Sequence, residues 1–278
     1  MESESERRSL HRIEELRASA ERMPRGHAVL QLGYAVMLSA YVGVFAFTGS
    51  SDGGVRAFGG TAMTLLLPPI IVSSALVSGA TERFGGRLRS TRADGVGAAA
   101  FAVLLVGLLA WGVLTDGYPA WVALAAAVLT LVIFSIRPLR VWMRTTAPAD
   151  PERTQVRALP LPARLTTVFL GVFFGLVCAV VFEPALGWLV TMLGLIIVLI
   201  ALAARGEPWS FLVTGYEWRF PQWIGFGVAT LIMFLLALLI VATDVVTPGI
   251  AAAAGGLVAA SLVLCAFIPR GRRGASEA

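Results

Sequence analysis

Eight stretches of 18 to 23 residues run along this chain without a single charged side chain. A helix needs about 20 mostly apolar residues to cross the hydrocarbon core of a bilayer. Inside that core every backbone polar group must be bonded within the protein, which leaves helices or closed barrels as spanning structures. The runs are too long and too uniformly apolar for alternating barrel strands. They predict helices at His27–Gly49, Thr61–Ala80, Gly95–Leu114, Pro119–Ile136, Leu165–Phe182, Ala185–Ala204, Gln222–Thr243 and Thr247–Ile268. Thr115–Tyr118 and Glu183–Pro184 are the only residues between two of the pairs, so each pair must form a tight hairpin.

Composition supports this class. Of 278 residues, 57% are hydrophobic and 14% charged. A soluble domain carries about 25% charged residues. Neither a water-soluble globule nor a disordered chain fits. The expected fold is therefore an all-helical integral membrane protein with eight transmembrane helices. All 22 basic residues are arginine, and their positions set the orientation. Twenty-one fall in the N-terminal tail, in the second, fourth and sixth connections, or in the C-terminal tail; Arg56 alone falls on the other side. Basic residues accumulate in cytoplasmic loops, so both termini are expected in the cytoplasm. The first apolar run exceeds a signal-peptide core of about 7–15 residues, so it is read as a retained span. A bacterial plasma membrane is the simplest location. The net charge of +5 then points to anionic lipids at the cytoplasmic face rather than to nucleic acid.

The chain divides into a tail at 1–26, four spans at 27–136, a linker at 137–164, four spans at 165–268 and a tail at 269–278. Leu10, Ile13, Leu16, Ala20 and Met23 recur at helical spacing in the first tail, which predicts an amphipathic helix from about Glu4 to Met23, with a frayed, solvated tail as the alternative. Five prolines and six arginines make the linker extended and basic. Two sets of four spans allow an internal repeat. Thr115-Asp116 and Thr243-Asp244 both precede a proline-led span, Pro119 and Pro248. Duplication would produce this, and so would helix capping alone, with the Asp accepting from the free N–H groups of the next helix.

The absence of charge from the spans narrows the chemistry. Ion-coupled pumps and voltage sensors use intramembrane carboxylates or basic groups, and a retinal pigment needs a buried Lys that this chain lacks. The histidines are His11 and His27, and Cys178 and Cys265 stand alone in apolar runs, so no metal site or cofactor is expected. What the spans do contain is uncharged polarity: Gln31, Tyr34, Ser39, Tyr41 and Thr48 in the first, and Thr61, Thr64, Ser73, Ser74 and Ser78 in the second. These predict interhelical hydrogen bonds of about 0.6 kcal/mol each, or alternatively a weakly polar path for a neutral solute.

The second span also carries Pro68-Pro69 at its centre. Each removes a donor, leaving the carbonyls of Thr64 and Leu65 without helical partners. The pair must face protein. Thr64, Pro68, Pro69, Ser73 and Ser74 are the candidate hinge or solute-facing residues. Two small-residue patterns predict close helix packing: Gly171 with Gly175, and Ala252 with Gly256 and Ala260. Residues 205–223 form the most distinctive connection, predicted to be a short amphipathic segment lying on the cytoplasmic leaflet. Arg205, Glu207, Trp209, Tyr216, Glu217, Trp218 and Arg219 are its candidate docking residues, for the membrane surface or for a protein partner.

Two function classes remain. One is a transport component, permease-like, passive or partner-driven, handling a neutral or lipid-like solute. The other is a non-catalytic subunit or scaffold that organises a complex through its cytoplasmic face. An enzyme would need Glu82, Asp94, Glu207 and Glu217 to converge, and nothing in their spacing brings them together.

Overall fold

Four of the helices begin with a proline in their first turn, at Pro162, Pro184, Pro221 and Pro248. A missing N–H costs nothing there because it would have no helical partner. The computed structural model describes residues 25–48, 50, 61–83, 92–115, 117–144, 159–204 and 206–268. The expected tail helix Glu4–Met23, most of the linker, the C-terminal tail, Asp116 and Arg205 lie outside them.

The described helices are α1 (Arg25–Thr48), α2 (Thr61–Arg83), α3 (Arg92–Leu114), α4 (Trp121–Arg144), α5 (Leu161–Ala179), α6 (Pro184–Ala203), α7 (Phe211–Glu217), α8 (Phe220–Ala242) and α9 (Pro248–Phe267). Among the described residues, seven helices are long and apolar enough to cross a membrane: all except α7 and α3. The apolar stretch of α3 is shorter, Ala99–Gly112 among the described residues. This is the architecture of a multi-pass membrane protein. One feature of the α4 boundary differs from expectation: the helix does not stop at Ile136 but continues through Pro138 to Arg144.

Packing forms two clusters. The smaller holds α1 against α4, with Leu38, Val42 and Ala46 on one side and Val122, Ala123 and Ala126 on the other. Gly43 lets the two helices close onto Ala127, whose carbonyl accepts a 2.7 Å hydrogen bond from Ser39. The α3–α4 hairpin turns at Gly117, where φ is 119°, a left-handed geometry that glycine adopts without strain. Tyr118 is buried beside the turn and donates its hydroxyl to the Ala46 carbonyl. Burial pushes that phenol above its ordinary pKa, so it remains a neutral donor.

The larger cluster joins α2, α5, α6, α7, α8 and α9 with part of α1. Its most extensive pair is α5 with α9. A Cβ at Gly175 would stand 2.7 Å from the Gly255 carbonyl oxygen, and one at Gly171 would stand 3.0 Å from Leu262 Cβ. The expected glycine pair therefore packs inside the chain. The expected α9 ladder does not. Ala252, Gly256 and Ala260 are exposed, and α9 instead buries Ala251, Gly255, Val258 and Leu262. A helix apolar all round carries no periodicity to mark its packed face.

Among the described residues two helix pairs make the most extensive contacts, α1 with α4 and α5 with α9. The hairpin threonines also match: Thr115 and Thr243 each bond the carbonyl four residues back, both at 2.8 Å. Yet α2 packs on α7 and α8 rather than on α3 and α4. The cap before α9 is Thr247, which accepts from Ile250 N at 3.3 Å, rather than Asp244, which is exposed.

Candidate functional site

Residues 206–223, expected as an amphipathic segment, bury one side and leave Glu207, Trp209, Tyr216, Arg219 and Phe220 exposed. They fold into the end of the bundle formed by the C-terminus of α2 and the N-terminus of α5. Ser210 starts α7 by accepting from Val213 N at 3.2 Å, the usual task of an N-cap hydroxyl. Phe211, Thr214, Gly215 and Trp218 then fall at i, i+3, i+4 and i+7, and all four are buried.

Two glycines bring α7 onto α2. A Cβ at Gly79 would collide with the Leu212 carbonyl, and one at Gly215 would collide with that of Leu76. The two backbones touch there, so α7 and the part of α2 beyond Pro68-Pro69 are held as one body. On the other side Trp218 is 1% exposed. Its indole Nε1 donates to Thr167 Oγ1 at 2.9 Å, and Thr167 donates onward to the Ala163 carbonyl at 2.7 Å. Trp223 and Phe226 close on the indole at ring separations of 5.2 and 5.6 Å. Thr166 donates to the Trp209 carbonyl at 3.0 Å and so fixes the turn ahead of α7.

At the α8 start, Gln222 performs two tasks that the sequence reading did not anticipate. Its Oε1 accepts from Arg219 N at 3.1 Å, and its Nε2 donates to the Cys265 carbonyl at 2.8 Å near the end of α9. A glutamine three residues after a helix start is a capping signal, so the sequence did offer a hint. Arg164 lies at the same end, its guanidinium 5.4 Å from the Phe267 ring centre.

Of the residues singled out for docking, Trp218 is therefore a core residue. Glu207, Trp209, Tyr216 and Arg219 are exposed, and Glu217 is half-buried. Of those singled out in the second span, Pro68 and Pro69 are buried, as the missing donors require. Its serines bond within their own helix. Ser73 and Ser74 bond the carbonyls of Ile70 and Ile71, at 2.9 and 2.8 Å, and Ser78 bonds that of Ser74. These bonds are intrahelical, whereas Ser39 and Tyr41 in α1 do bond across to α4 and α8.

Beside the docked segment, α5, α6 and the Trp209 turn enclose a groove of about 200 Å3. It is lined by Leu165, Phe169, Ile197, Ala201, Trp209 and Phe211, with Thr166 as its one polar side chain. That hydroxyl is already committed to the Trp209 and Pro162 carbonyls. The groove is open, and Leu165, Ile197 and Trp209 in its lining are exposed. It holds no general base, nucleophile or charge. Among the described residues no group of His, Cys, Asp or Glu is placed to hold a metal. What the groove can do chemically is take up hydrocarbon. Comparison of the chain with protein-family models, curated proteins and solved structures finds no match.

Proposed function

We propose that the chain is an eight-span membrane protein with both termini in the cytoplasm, and that it is a transport component for a neutral or lipid-like solute. The observation that carries this reading is the groove beside α7. It is apolar and uncharged, and Leu165, Ile197 and Trp209 in its lining are exposed on spanning helices or beside them, where a solute arriving from the bilayer would enter. The charge-free spans support a solute that needs neither ion coupling nor a counter-charge. The buried Pro68-Pro69 pair inside α2 supports movement. It sits in the helix whose far half carries α7, so bending there would shift one wall of the groove. The arginine distribution supports the orientation and a plasma-membrane location. The matching α1–α4 and α5–α9 pairs support two related four-span halves.

The test is reconstitution of the full chain in liposomes holding a fluorescent phospholipid, read as leaflet exchange. Exchange should exceed that of empty liposomes, and Pro68→Ala with Pro69→Ala should slow it while folding stays intact. Mild-detergent purification should be run beside it, because a partner-driven component would bring its ATPase along. Exchange no faster than in empty liposomes, with no partner co-purified, would sink the transport reading. A scaffold role is favoured by one observation, the exposure of Trp209, Tyr216 and Phe220 along one connection. Loss of a co-purified protein in Trp209→Ala and Tyr216→Ala would establish it.

A further inference from the structure

We propose that the groove between α5, α6 and the Trp209 turn is a binding site for one acyl chain of a membrane phospholipid. This deepens the transport reading by naming a ligand class, and it rests on the membrane placement that reading assumes.

Size selects the occupant. A helix with its side chains is about 10–12 Å across, and a groove of about 200 Å3 cannot seat one. At the roughly 30 Å3 that a water-sized unit occupies in a liquid, that volume is on the scale of a run of methylenes, a segment of an acyl chain. A headgroup does not fit the lining either, because the single hydroxyl there, that of Thr166, has one proton and shares it between the Pro162 and Trp209 carbonyls.

Position selects it too. The groove's mouth is continuous with the exposed apolar flank of α6, where Leu193, Ile196 and Ile200 are each at least half exposed. On a spanning helix that flank meets bilayer hydrocarbon. Trp209 stands at the end nearest the α6–α7 connection, where an amphipathic ring suits the level of lipid headgroups.

Retention must come from shape. A chain leaving the bilayer is already in hydrocarbon and gains no hydrophobic energy on entering the groove. It gains dispersion contact with the flat faces of Phe169, Trp209 and Phe211, which a neighbouring lipid tail cannot offer. Such a site would hold one lipid longer than the lipids that merely coat α3 or α4.

The experiment is photolabelling of the full chain in nanodiscs by a phosphatidylcholine with a diazirine on its acyl chain, mapped by peptide mass spectrometry. Labelling should concentrate on residues 161–169 and 197–211, above the exposed face of α4 around Val128 and Val132. Ala201→Phe fills the groove floor and should lower groove labelling several-fold while labelling of α4 stays unchanged. Ala201 is buried, so that variant is paired with Ile197→Trp, which blocks the mouth from an exposed position and should do the same. Leu193→Trp, one turn away on the same flank, should leave labelling as it was. Labelling spread evenly over all exposed spans would overturn the proposal, and so would groove labelling that survives Ile197→Trp. The readout is occupancy rather than exchange. Labelled groove without lipid exchange would therefore defeat only the transport reading, and exchange without groove labelling only this one.

Discussion

Thr167 in α5 and Thr214 in α7 are both fully buried threonines, and their hydroxyls stand in opposite situations. Thr167 accepts from Trp218 and donates to Ala163. The Thr214 hydroxyl finds no hydrogen-bond partner among the described residues. Removing one partner of a satisfied buried pair leaves the other with its desolvation cost, whereas replacing an unpaired hydroxyl by a methyl group removes such a cost. Thr167→Val should therefore lower stability by about 1 kcal/mol, and Thr214→Val should raise it by a similar amount. Thermal unfolding in detergent, followed by tryptophan fluorescence, checks both. Equal destabilisation by the two would mean that the Trp218 bond does not hold α7 in place.

At the scale of elements, close approach is what distinguishes one helix face from another. Gly255 and Gly256 are neighbours in sequence with opposite surroundings. A Cβ at Gly255 meets the Gly175 carbonyl, while one at Gly256 meets nothing within 4 Å. Overpacking a tight contact costs about 1–3 kcal/mol. In open space Ala is a better helix former than Gly by about 1 kcal/mol. Gly255→Ala should thus destabilise the α5–α9 pair, and Gly256→Ala should be neutral or stabilising, measured as the denaturant midpoint in mixed micelles. The reverse order would show that the Ala252–Gly256–Ala260 face, and not its neighbour, carries the packing. The same logic applies to α7. It is only seven residues long, too short to persist alone, and it is held by the backbone contacts at Gly79 and Gly215.

Over the whole molecule, the contacts gather one set of helix ends. Leu76 and Gly79 near the end of α2, Thr166 and Thr167 at the start of α5, α7 itself, Gln222 at the start of α8 and Cys265 near the end of α9 all meet there. Arg83, Arg164 and Arg219 belong to the same end by chain position. The opposite end holds Ala46 and Tyr118. The proposed orientation puts the arginine-rich end in the cytoplasm. A fluorescent protein fused after Ala278 should then be fluorescent in cells, and alkaline phosphatase fused at Gly53 should be active. An inactive phosphatase at Gly53 would reverse the topology, and with it the leaflet from which the groove opens.

The sequence by itself determined that this chain is a helical membrane protein, and nearly where its helices lie. The reason is local: a span needs only a long enough run of apolar residues, and its ends are marked by prolines, charges and short polar turns. It also determined that Pro68-Pro69 must face protein, because two missing donors cannot be repaired in lipid. Only the tertiary structure decided which faces pack, as the shift from Ala252–Gly256–Ala260 to Ala251–Gly255 on α9 illustrates. In a soluble helix, polar residues mark the outside. In α6 or α9 every face is apolar because lipid and protein interior are equally acceptable surroundings, and that mark is erased. The same ambiguity made Trp218 read as an interfacial ring when it is a core residue. Its burial depends on Thr167, 51 positions earlier in the chain, and on two glycines in different helices meeting at one crossing. The groove follows from that docking. It exists because α7 was drawn into the bundle beside α5, a contact between segments whose sequences give no sign of each other.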